Sequence, residues 1–248
     1  MTTTEVLLKD LQSDAPIREV LIGAFWTLVT LDTEPVRCGL ASTLRGETSH
    51  EGPPIPEAGR LLGYTGQELA AWLGAEETLR ASVGLAAYNA LLEPDEDSFV
   101  ELNGSEVIIE QGAGGNVAII GHFPFSEEVR RAAKTCWVLE LRPRPGDLPA
   151  DRADEILPRA DVVAITSTSL LNHTFEALID LCRDDAFVVM LGPSTPLTPA
   201  LLSSGVDALS GTIVDDPARV RRSIMQGATF RQIKGGGGLR LVSMAYER

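Results

Sequence analysis

Apolar positions along the chain follow one rhythm up to about residue 98 and another beyond about residue 115. In the first stretch, Val6, Leu7, Leu8 and Leu11 share one side of a predicted helix over residues 1–12. The apolar run "REVLIGAFWTLVTLD" (18–32) predicts a strand and "VRCGLASTLRG" (36–46) its partner, with Thr33-Glu34-Pro35 as the hairpin turn. "SHEGPPIPEAG" (49–59), which carries His50, is too rich in Pro and Gly for a helix or a central strand. Helices are predicted over 66–74 and 76–92. The second carries Ala81, Gly84, Ala86 and Ala87, small residues that permit close packing at some cost in helix propensity. The acidic patch "EPDEDS" (93–98) ends this unit and reads as a linker.

Beyond residue 115 the apolar runs no longer alternate with polar residues. "NVAIIGHF", "TCWVLEL", "DVVAITSTS" and "AFVVMLG" read as strands, separated by the short amphipathic helices "SEEVRRAAK", "RADEILPRA" and "NHTFEALIDLCR". "PLTPALLSSG" predicts a helical turn, followed by "ALSGTIVD" and the helix "PARVRRSIMQG". In the tail, the glycine run 235–238 reads as flexible and the residues after it as a last edge strand. Strands that are apolar throughout are buried on both faces, which implies a parallel sheet covered by helices. The expected fold class is α/β: a small α+β domain over 1–98, then a Rossmann-like, doubly wound, mainly parallel domain over 99–248.

Composition narrows the partners. The chain has 248 residues, 44% of them hydrophobic, enough for a proper core. Its 35 acidic against 21 basic residues leave a net charge of −14, which argues against nucleic acid, whose backbone needs clustered Lys and Arg. Cys38, Cys136 and Cys182 are far apart, with no CxxC pair, so neither a disulfide framework nor a structural zinc site is implied. They read as reduced core cysteines. The N-terminal stretch has no basic segment followed by an apolar one, and the longest apolar run is about half a membrane span. A cytoplasmic protein with no membrane association is expected.

In open α/β sheets ligands collect beyond the carboxyl ends of the strands. After the first parallel strand stands Gly121, then His122 and Phe123, with no second or third glycine. A dinucleotide turn needs GxGxxG, so NAD and FAD are disfavoured, and a nucleoside or another small ligand without a diphosphate fits better. Glu140, near the end of the next strand, either accepts from ribose hydroxyls or pairs with Arg142 or Arg144. "TSTSLLNHT" (166–174) brings Thr166, Thr168 and Asn172, and "GPSTP" (192–196) brings Gly192, Pro193, Ser194 and Thr195. Their hydroxyls serve equally as helix caps or as ligand donors. His122 and His173 end on the same rim, so a two-histidine metal site is conceivable, but no third ligand has diagnostic spacing. No GxSxG, HExxH or Walker loop is present.

The blocks "VAIIGHFPF", "LELRPRPGDLP", "LPRADVVAITSTSLLNHT" and "MLGPSTPLTPALLSSGVDALSGTIVDD" together resemble the heavy-metal-chelation family, a Rossmann-like domain of unknown function. "IGAFWTLV", "CGLAST" and "VGLAAYNALL" resemble its usual partner, an enolase-N-terminal-like domain. His173 departs from the residue expected between Asn172 and Thr174. The resemblance implies a site in the cleft between the two domains, to which Thr27 and Asn89 of the first domain would contribute. It implies binding of a small polar molecule there, as in condensation, hydrolysis or group transfer in pterin, flavin or metallophore metabolism. The alternative is a non-catalytic protein that binds a metal or a metal chelate. A divalent heavy metal or an S-adenosylmethionine-like nucleoside is the corresponding cofactor, a small-molecule or metal-chelate ligand the partner, and a homodimer the expected assembly. The resemblance leaves open whether the chain is an enzyme.

Overall fold

The change of rhythm near residue 100 corresponds to two sheets. The computed structural model describes residues 1–46, 52–93 and 95–245. Part of the expected loop at 49–59, with His50, and Pro94 of the expected linker lie outside the described residues. Helix α1 (Thr3–Asp10) opens the chain with a capping box in which Thr2 and Glu5 satisfy each other's backbone N–H groups. The run 18–32, expected as one strand, is a hairpin of its own. β1 (Ile17–Ile22) and β2 (Trp26–Leu31) fold back at residues 23–25, where the Gly23 N–H donates to the Trp26 carbonyl at 2.9 Å. The turn at 33–35 then leads, as expected, to β3 (Cys38–Ser42), giving the antiparallel order β1-β2-β3.

α2 (Gly66–Ala70) and α3 (Thr78–Leu91) follow. The small residues read from the sequence let α3 lie directly on β3: a Cβ added at Gly39 would stand 2.2 Å from the Ala86 carbonyl oxygen and 2.3 Å from the Ala90 nitrogen. All six residues of β2 are buried. Trp26 and Leu28 on one face pack with Val220, Ile224 and Ile233 of two late helices, while Val29 and Leu31 on the other join the main core with α3.

The second half begins with α4 (Gly104–Gln111), which the hydrophobic pattern did not predict; an Asn103–Glu106 capping box starts it. Then come β4 (Asn116–Ile120), α5 (Ser126–Ala132), β5 (Thr135–Glu140), β6 (Leu148–Pro149), α6 (Ala153–Ile156), β7 (Val162–Thr166), α7 (Phe175–Ile179), β8 (Phe187–Leu191), α8 (Pro199–Leu202), β9 (Ala208–Val214) and α9 (Pro217–Met225). α10 (Phe230–Gly236) absorbs the first two glycines of the run expected to be flexible, because a Thr229–Gln232 capping box nucleates a helix ahead of them. β10 (Leu239–Ala245) is the edge strand read from the tail.

The seven strands are ordered β10-β9-β8-β7-β4-β5-β6, all parallel except β10, which runs antiparallel to β9. β7 shows why such strands carry no polar alternation. Val163 and Ile165 face the core shared with the first sheet, whereas Val162 and Ala164 face the layer built by α4 and α5, and none is more than 2% exposed. The core shared by the two sheets includes Leu7, Val29 and Tyr88 from the first half and Met190, Leu201 and Leu209 from the second. Among the described residues no helix is long and apolar enough to cross a membrane.

Candidate functional site at the strand-order reversal

From β4 the chain passes to β5 on one side and, later, to β7 on the other, so strand order reverses between β4 and β7. A crevice opens at such a point beyond the carboxyl ends. Gly121 ends β4 at φ +97°, a conformation L side chains resist, and its N–H donates to the Leu139 carbonyl at 2.8 Å. A Cβ there would touch Thr166 at 3.3 Å, which places the ends of β4 and β7 side by side.

The β4–β5 side is charged. Glu140 binds backbone N–H groups rather than the side chain of Arg142 or Arg144. Its Oε2 accepts the backbone N–H of His122 at 2.9 Å, and its Oε1 accepts those of Leu141 at 2.8 Å and Arg142 at 3.4 Å. The carboxylate thus fixes the peptide that carries His122. The imidazole Nδ1 lies 2.9 Å from Oδ2 of Asp147, a residue the sequence reading missed. The Asp147 side chain has no solvent exposure; Oδ2 also accepts the Arg144 N–H at 3.1 Å, and Arg130 Nη2 stands 3.6 Å from Oδ1. Burial works to raise the Asp147 pKa, but the Arg144 amide, His122 and Arg130 outweigh it and hold the carboxyl below its usual range. Asp147 is therefore an acceptor, and His122 donates to it through Nδ1–H, which leaves Nε2, without a hydrogen bond among the described residues, on a side chain 24% exposed. Next to it, Phe123 stacks on Phe125 with ring centroids 5.1 Å apart.

The β7–β8 side is rich in hydroxyls, and most are engaged. Thr166 caps the short turn 167–170, its Oγ1 3.0 Å from Thr168 Oγ1, and Ser169 donates to the Thr166 carbonyl at 2.7 Å. Asn172 Oδ1 accepts from the Thr174 hydroxyl at 2.8 Å. Gly192 has φ +130°, and a Cβ there would lie 2.7 Å from Ser167 Oγ. Ser194 is completely buried, its Oγ accepting the Ser42 N–H at 2.8 Å across the two sheets. Thr195 donates to the Gly192 carbonyl at 2.8 Å, and the Pro193 carbonyl accepts from Thr212 at 2.9 Å. Asn89 Nδ2 donates to the Leu40 and Ser194 carbonyls, each at 3.0 Å. Thr27, also fully buried, pairs with Thr43 at 2.9 Å.

Ten of the thirteen ligand-site residues expected from sequence thus form two groups. Gly121, His122, Phe123, Glu140, Thr166 and Thr168 gather where strand order reverses. Asn89, Pro193, Ser194 and Thr195 sit at the joint between the sheets. The two histidines have different partners: His173 is exposed, adopts φ +56°, and places Nε2 2.8 Å from the Ala75 carbonyl oxygen. Among the described residues no three or more His, Cys, Asp or Glu side chains form a group able to hold a metal ion. Burial pushes the Cys38 thiol up to about 12 and those of Cys136 and Cys182 up to about 11. The signal for Asp147 was non-local: β6 pairs with β5 through Leu139 and Leu148, and that pairing carries the preceding residue to the rim.

Two family models cover most of the chain. DUF364, described as "Putative heavy-metal chelation", matches residues 103–243, and DUF4213, with the same description, matches residues 4–92. A DUF364-family protein of unknown function from Desulfitobacterium hafniense DCB-2 is 25% identical, with a TM-score of 0.83 over 98% of this chain and 96% of that one. Another from Pyrococcus horikoshii, 19% identical, has the same fold, with a TM-score of 0.82 over 99% of this chain and 100% of that one. No curated protein matches. With more than half of its length matched by one model, a mixed α/β fold shared with two of its members, and the sequence blocks that resemble it, this chain belongs to the DUF364 family.

Proposed function

We propose that the protein binds a heavy metal already held by a small organic chelator, at the rim where β4, β5 and β7 end. The observation that carries this reading is the His122–Asp147 pair. A metal-bound histidine characteristically gives its second ring N–H to a carboxylate, which fixes the tautomer and raises the basicity of the free nitrogen. His122 has that arrangement through Nδ1, with Nε2 left over. The described side chains supply no complete ligand set for a bare ion. A chelate brings most of its own donors and needs only one or two from the protein. Gly121, Thr166 and Thr168 border the same place. The family description points the same way.

The test is calorimetric titration of tag-free protein with zinc nitrilotriacetate and, separately, with zinc chloride. The chelate should bind once per chain and more tightly than the bare ion. In His122→Asn the side-chain amide keeps a donor near the Nδ1 position while Nε2 is lost, and chelate affinity should fall at least tenfold. Asp147→Asn should lose roughly tenfold or more, as expected for the partner of a metal-bound histidine. Unchanged affinity in His122→Asn would sink the proposal.

A further inference from the structure

The loop 141–147 joins β5 to β6 with the sequence Leu-Arg-Pro-Arg-Pro-Gly-Asp, and it brings two arginines to the rim beside His122. Two carboxylates place them. Glu140 accepts the N–H groups of both His122 and Arg142, and Asp147 Oδ2 meets both His122 Nδ1 and the Arg144 N–H. Each arginine thus extends from a peptide held by a carboxylate that also holds the histidine. The loop is preordered as well. Pro143 and Pro145 have fixed φ, and the Asp147 N–H donates to the Arg144 carbonyl at 2.9 Å, closing a turn in which Gly146 adopts φ +93°.

Both guanidinium groups are uncommitted. Arg142 and Arg144 are exposed, and neither side chain makes a hydrogen bond or ion pair among the described residues. The nearest carboxylates are taken, Glu140 by three backbone N–H groups and Asp147 by His122 and the Arg144 amide. Arg130, against the same loop, is by contrast bound to Glu127 and to the Gly146 carbonyl. Free positive charge beside a histidine with a free ring nitrogen selects for negative charge on whatever that nitrogen binds. A carboxylate that ligates a metal through one oxygen keeps the other for a guanidinium, whose forked N–H groups match it. We infer that the chelator at this rim is a polycarboxylate whose metal complex keeps a net negative charge, with Arg142 and Arg144 bound to its outer oxygens.

This class of ligand rests on the reading of the rim as a metal-chelate site, and two probes separate the one from the other. Zinc nitrilotriacetate and zinc tris(2-aminoethyl)amine are both tripodal complexes with an open metal position, but the first is anionic and the second cationic. Each is titrated calorimetrically, at low and at high salt, into the full chain and its variants. Only binding that is lost in His122→Asn counts as binding at the rim.

At low salt the anionic complex should bind about tenfold more tightly than the cationic one, the effect of attraction in one case and repulsion in the other. The double variant Arg142→Gln/Arg144→Gln should lose about fivefold in affinity for zinc nitrilotriacetate, the effect of two exposed ion pairs, and most of the salt dependence with it. Its affinity for the cationic complex should not fall. Arg142→Lys/Arg144→Lys should recover most of the loss, since the charge is restored. Neither pair of substitutions removes a bond made by the side chains, so Tm should stay that of the wild type. Equal affinities for the two complexes, or unchanged zinc nitrilotriacetate affinity in the double Gln variant, overturn the inference and leave the chelate site standing. Binding of neither complex that depends on His122 overturns the chelate site itself, and the ligand class with it.

Discussion

The two sides of one rim, β4–β5 and β7–β8, are built from residues that look equally suited to a ligand and use them in opposite ways. On the β7–β8 side, hydroxyls of Thr166, Ser169, Ser194 and Thr195 bond to backbone or to one another, and Ser194 ties the second sheet to Ser42 of the first. On the β4–β5 side, Glu140 and Asp147 are spent in holding His122, and the imidazole Nε2 remains available. Residue type alone does not mark a site. What marks it is a polar atom left over after the structural hydrogen bonds have been made.

The contrast can be broken by substitution, from the largest effect on stability to the smallest. Gly192→Val combines a backbone at φ +130° with a clash against Ser167, and should cost about 4 kcal/mol, a fall in Tm of roughly 10 °C. Ser194→Ala removes the acceptor of the N–H of half-buried Ser42 and should cost about 2 kcal/mol, seen as a shift of the urea midpoint with unchanged slope. Both leave the His122 network untouched, so chelate binding should persist in either variant while it remains folded.

Asp147→Asn should cost about 1.5 kcal/mol near neutral pH, since it weakens bonds made to a charged group. Because the folded pKa of Asp147 is depressed, its contribution is complete above the unfolded-chain value near about 4 and is lost as pH falls through the lower folded value. The stability difference between wild type and Asp147→Asn should therefore shrink as pH falls below about 4, as urea unfolding at each pH will show. The smallest stability effect is expected of His122→Asn, within about 0.5 kcal/mol, because a donor to Asp147 is retained.

Much of the fold was legible in residue pattern. The strands of the parallel sheet are apolar throughout because they are covered on both faces, as Val162 to Ile165 show. The hairpin within 18–32 was not legible, since its turn at 23–25 lies inside an unbroken apolar run. α4 and α10 were missed although each begins with a capping box, Asn103–Glu106 and Thr229–Gln232; those pairs are the local signal that would have found them. For the site, the strand-end rule located Gly121, His122, Glu140 and Thr166 correctly on the rim. It could not assign their bonds. Asp147 reaches His122 only through the pairing of β6 with β5, and the task of Ser194 depends on the packing of one sheet against the other. Such contacts between residues far apart in sequence are set by tertiary packing, which local pattern does not encode.

The division of the rim is tested most directly by measuring two properties on two variants: urea stability and zinc nitrilotriacetate affinity for Ser194→Ala and His122→Asn. The account predicts a crossed result. Ser194→Ala should lose stability and keep the affinity of the wild type; His122→Asn should keep stability and lose affinity at least tenfold. Loss of affinity in Ser194→Ala at full stability, with His122→Asn binding as the wild type does, would contradict it and move the site to the hydroxyl side of the rim.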